Sequence, residues 1–161
     1  MTLDRALRHR RDPEQLWEVP ANLTIDVLEG ALRHLAGDDR VVGLCSRIEM
    51  KDGKCRHALL MDFRCPKSAE ALSDLDRACQ HLGYPGWLLE TKHSYHFVGD
   101  ILVDDREWLR FIGRWLLLEH LSDVSFVGHC VIERVSCLRV TGTLGVLEPS
   151  VAVRIEGSRE S

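Results

Sequence analysis

The feature that most constrains this chain is a pair of β-rich runs flanking Asp52-Gly53, in RVVGLCSRIEMKDGKCRHALLMDFRC (residues 40–65). Both turn residues tolerate positive φ, so the stretch predicts a β-hairpin. The second run, Cys55 to Phe63, ends in ALLMDF, and Pro66 halts it. Ser68 can cap a helix reaching about Leu82, which Gly83 and Pro85 terminate. GWLLETK reads as a third strand and SYHFVGDIL as its hairpin partner. Asp104 or Asp105 caps a further helix, REWLRFIGRWLLLEHL. Its apolar face (Trp108, Leu109, Ile112, Trp115, Leu116) reads as core. The β-branched stretch VSFVGHCVIERVSCLRVTGT predicts one or two strands, and SVAVRIEG a last edge strand.

Upstream, LTIDVLEGALRHLAG reads as a helix with Thr24 as N-cap and Gly37 as stop. Residues 1–22 form a charged arm or helix containing RALRHRR, 23–157 a single domain, and 158–161 a fraying tail. Hairpins outnumber crossover units. The expected fold is therefore α+β, a mostly antiparallel sheet with flanking helices.

At 161 residues the chain can bury one substantial core. Its apolar runs, such as Trp115 to Leu118, fall far short of the roughly 20 residues of a membrane span. The N-terminus has no apolar signal core, which predicts a cytoplasmic protein without membrane contact. A net charge of −4 argues against a simple nucleic-acid coat. It leaves room for a small basic patch or a metal-bridged nucleotide site. Six cysteines without a C-x-x-C pair read as reduced, buried thiols. Zinc on Cys55, His57 and Cys65 is a weaker reading, because the spacing matches no zinc-ribbon pattern.

Two positions carry the functional argument. Asp62 ends an apolar strand, where a carboxylate is costly unless paired, hydrogen-bonded or bound to metal. It is either a site residue or a partner of Arg64 at the turn. In ETKHSYHFVGD (90–100), Lys92, Ser94 and His96 share strand parity, opposite Tyr95 and Phe97. Three phosphate-competent groups on one face are more specific than a lone histidine.

HALLMDF, followed by KHSYHFVG, resembles the first two motifs of the archaeo-eukaryotic primase superfamily: an apolar strand ending in acids, then s-x-H on a later strand. The resemblance spans roughly residues 40–141. It implies a primase-polymerase-like, RRM-related core. It also implies a domain that binds nucleoside triphosphate and DNA or RNA, and joins nucleotides with Mg or Mn held by carboxylates. Carried over by motif, Asp62 is a catalytic, metal-binding acid, Ser94 and His96 contact the nucleotide phosphates, and Asp123 is the third-motif acid on a strand. Lys92 and Arg139 join them as phosphate contacts on charge and placement.

The departure is Arg64, which stands where the first motif has its second acid. A guanidinium cannot ligate metal but can bind phosphate. The expectation is thus a nucleotidyltransferase-like domain with weakened transfer, working beside a protein partner that supplies further replication or repair modules. The alternatives are a non-catalytic interaction subunit, and a metal-dependent hydrolase on His93, His96, Asp100 and His120 or His129. Opposite strand parity of His93 and His96 counts against the hydrolase.

Overall fold

The computed structural model describes residues 43–139 and 150–156. They form β1 (Gly43–Cys45), β2 (Arg47–Glu49), β3 (Cys55–Asp62), α1 (Ala69–Leu82), β4 (Gly86–Glu90), β5 (Tyr95–Val103), α2 (Asp105–Leu116), α3 (Val124–Glu133), β6 (Cys137–Arg139) and β7 (Ser150–Ile155). The arm at 1–22, the helix from Thr24 and the tail at 158–161 lie outside the described residues. The fold is α+β. Five strands form a sheet in the order β2-β3-β5-β4-β7, and β1 pairs with β6 in a separate two-stranded sheet. Every pairing is antiparallel.

The Asp-Gly turn forms as the sequence predicts. Gly53 takes φ 77°, and the Met50 N–H donates to the Lys54 carbonyl at 2.8 Å. The first run is not one strand, however. At Ser46 the chain changes partners: its N–H donates to Ser136 O and its carbonyl accepts from the Ala58 N–H, both at 2.8 Å. β1 therefore joins β6, where Cys45 faces Cys137 and forms a disulfide with it. This corrects the expectation of six reduced thiols. Cys65, Cys79 and Cys130 are buried and outside any disulfide, as core thiols should be. Burial pushes the Cys79 thiol up to about 12, so it stays protonated.

β5 lies between β3 and β4 and is antiparallel to both. The unit β3–α1–β4 is thus a split β-α-β with β5 filling the gap. α1 begins at Ser68, whose side chain accepts the Ala71 N–H at 3.0 Å, and ends at Gly83 with φ 75°. The cap is worth about 1 kcal/mol. One sheet face carries Leu59 and Met61, Phe97, and Leu88 against the helices. Phe97 meets Phe111 at 5.8 Å between ring centroids, and Phe63 meets Trp115 at 4.8 Å. Close packing there depends on glycine: a Cβ on Gly86 would lie 2.4 Å from the Val98 carbonyl. On α2 the buried stripe is Trp108, Phe111, Ile112 and Trp115, while Leu109 and Leu116 stay exposed.

The segment expected as strands after Asp123 is mostly helix. Asp123 caps α3 by accepting the Ser125 and Phe126 N–H groups, and Arg134 ends it with φ 53°. Phe126, Val127 and Cys130 supply the buried helical stripe. Tertiary burial and the cap override β-branched propensity here.

The start of α2 is also tied to the loop before β4. Tyr84 donates its hydroxyl to Glu107 Oε1 at 2.5 Å. That bond, with Arg110 and Arg114 helping and desolvation opposing, holds the Glu107 carboxyl below the usual range. A lowered folded pKa means stability that is present above the ordinary Glu value of about 4.3 and is lost as pH falls through the lowered one. Urea denaturation across the acid range is expected to show that loss in the wild type and a flatter profile in Glu107→Gln. Parallel profiles would contradict it.

Candidate functional site

Asp62 closes β3, and its register partner on β5 is His96. The two side chains therefore share one face, opposite the helix-covered face that holds Met61 and Phe97. His96 Nε2 stands 3.4 Å from Asp62 Oδ1. The Asp62 side chain is 36% exposed and that of His96 only 11%. Leu89 flanks His96 from β4, and the next row of the same face holds Trp87, Val98 and Leu60. Among the described residues nothing hydrogen-bonds His96 Nδ1, although it is buried. Buried polar atoms are nearly always paired, so this orphan beside the half-exposed Asp62 calls for an explanation.

Asp123 approaches from the other side. Phe63 bridges Ser122, the Arg64 N–H donates to Leu121 O at 3.0 Å, and the Asp123 N–H to Asp62 O at 3.3 Å. The backbone thus sets Asp123 beside Asp62, across from His96. Its carboxylate does different work from that expected: Oδ1 accepts both cap bonds, at 2.8 and 3.1 Å. Asp123 is a helix cap, not a strand-borne acid.

Ser94 and Lys92 precede β5, so strand parity does not align them with His96. The Ser94 hydroxyl has one proton and offers it to the carbonyls of Phe63, at 2.5 Å, and Cys65, at 2.9 Å. It clamps the exit of β3 to the entry of β5. Lys92 and Arg64 are exposed at this end of the sheet, and Arg64 forms no ion pair with Asp62. Arg139 is exposed on β6, in the two-stranded sheet and not in the sheet that carries Asp62 and His96.

The hydrolase set does not assemble either. Among the described residues, the three-side-chain group close enough to share a metal is Cys55, His57 and Asp105. Cys55 and His57 were legible from the sequence. Cys65 was not the third member: it lies past the far end of β3, and burial raises its thiol pKa against the opposing Ser94 bond. Asp105 could be found only through the packing of α2 on β3.

A family model described as archaeo-eukaryotic primase 1D-like (AEP-like) matches residues 20–145. The chain belongs to the AEP-like family. The match takes in β1 through β6 of this AEP-like domain, with Asp62 and His96 inside it, and stops before β7. No curated protein and no solved structure matches the chain. No helix among the described residues is long and apolar enough to cross a membrane.

The clamp role of Ser94 makes a distinct prediction for the AEP-like domain. Ser94→Ala should lower unfolding free energy by about 1–2 kcal/mol in urea denaturation, because two buried carbonyls lose their donor. Unchanged stability together with lost nucleotide binding would instead make Ser94 a ligand contact.

Proposed function

We propose that this AEP-like domain binds a nucleoside triphosphate at the Asp62–His96 end of its sheet, that DNA or RNA lies against the same end, and that nucleotidyl transfer is weak. The observation that carries the reading is the buried, unpartnered Nδ1 of His96 beside the half-exposed Asp62. With both ring nitrogens protonated, Nε2–H faces Asp62 and Nδ1–H is free to donate to a phosphate oxygen. Asp62 then orients the ring and offsets its charge. Exposed Arg64 and Lys92 supply a cationic rim for further phosphates. Trp87, half-buried on the same face as Leu89, offers a ring on which a base can stack.

The residues present do not fit a two-metal centre of Mg or Mn. Asp62 Oδ1 faces His96, Asp123 Oδ1 caps α3, and position 64 is an arginine. Two carboxylates, one of them already capping a helix, are too few for paired ions.

Calorimetry of a nucleoside triphosphate, with and without manganese, tests the proposal. Expected is binding that survives chelation, falls about tenfold or more in His96→Ala, and falls less in Asp62→Asn. Binding that requires manganese and vanishes in both variants would reveal a working metal centre and overturn the weakened-transfer part. No binding by folded wild type would favour an interaction subunit. That reading has its own support in the exposed stripe Val124, Val131 and Ile132 on α3.

A further inference from the structure

The opposite end of β3 carries a second cluster that the nucleotide reading does not use. His57 lies five residues before Asp62, about 17 Å along the strand. It is a buried histidine, with its ring stacked on Trp108 at 4.7 Å between centroids. Its Nε2 stands 2.9 Å from Asp105 Oδ1, at the start of α2, and its Nδ1 3.3 Å from Ser46 Oγ. Cys55 is two residues earlier on the same strand face. One ligand atom from each of Cys55, His57 and Asp105 falls within 4.8 Å of the others. Cys55 and Asp105 also line a shallow surface groove, together with Lys54, Arg56, Asp104 and Arg106.

We propose that Cys55, His57 and Asp105 form a zinc site. Sulfur, imidazole nitrogen and carboxylate oxygen are the donors zinc takes, and mixed soft and borderline ligands disfavour magnesium or calcium. A thiolate and a carboxylate together neutralise a divalent ion, which suits a place at the edge of a core. Three protein ligands leave a fourth position, and the groove gives it water.

The surroundings supply the outer support such a site needs. Arg47 Nε donates to Cys55 Sγ at 3.2 Å, orienting the sulfur. With zinc on Nε2, the Nδ1–H donates to Ser46 Oγ, which the Ser136 N–H already holds in place at 2.9 Å. Asp105 is 69% exposed on its side chain, so it is free to turn from the imidazole toward an ion. The ion would bind the β2–β3 hairpin to the first turn of α2, bracing the strand that carries Asp62 at its other end.

Cobalt(II) titration of the full chain under anaerobic conditions tests this. The expected result is a sulfur-to-cobalt charge-transfer band that saturates at equimolar metal and is displaced by zinc. Cys55→Ser should abolish the band, and Asp105→Ala should weaken binding about tenfold or more. Cys65→Ser should leave it intact. Zinc should also raise the melting temperature of the wild type and not of Cys55→Ser. No band, or a band that persists in Cys55→Ser, would overturn the proposal. Ser46, His57 and Asp105 would then be a purely structural hydrogen-bond chain.

Discussion

The pairing of β3 with β5 is the constraint from which the rest follows. One register aligns Met61 with Phe97 and Asp62 with His96. The first pair is buried on the helix side, and the second meets on the opposite face. A slip of one residue would exchange the faces, placing a carboxylate in the core and exposing a phenylalanine. The hydrophobic demand that fixes the sheet thus also fixes the polar pair. Close packing at Gly86 and Gly99 reinforces the register, since a Cβ on Gly99 would lie 2.8 Å from that of Leu59.

β3 is apolar through Leu59, Leu60 and Met61, all fully buried, and polar at both ends. A rigid central strand is a good mount for chemistry because its ends cannot wander. At the Asp62 end, the proposed ligand is a phosphate held by hydrogen bonds. At the Cys55 end, it is an ion that staples the hairpin to α2. The donor sets separate the two chemistries: an imidazole and a carboxylate near Arg64 at one end, and a sulfur, an imidazole and a carboxylate within 4.8 Å of one another at the other.

Local signals were legible where local physics decides. Ser68 and Gly83 bounded α1, Asp52-Gly53 made its turn, and Asp104 capped α2. Asp62 and His96 were legible too, because strand ends and period two place them without knowledge of the whole fold. The failures share another cause. In α3 the Val and Ile content favours strand locally, and only packing makes the Asp123 cap and the Phe126–Cys130 spacing decide for helix. A strand there leaves Asp123 a free acid, whereas the cap of the observed helix engages one of its oxygens. Parity aligns Ser94 with His96 only if the strand begins at Ser94, and β5 begins at Tyr95. The Cys45–Cys137 disulfide spans 92 residues, and the His57–Asp105 contact 48; neither separation is visible in a local pattern.

The most direct test of the central claim is the nitrogen-15 NMR signal of the His96 imidazole during titration with a nucleoside triphosphate in metal-free buffer. The account predicts that Nδ1 becomes a protonated donor as the triphosphate binds, while Nε2 stays protonated toward Asp62. Asp62→Asn should blunt that response. A His96 signal that ignores the triphosphate, while the chain remains folded, would contradict the assignment of this pair as the nucleotide site.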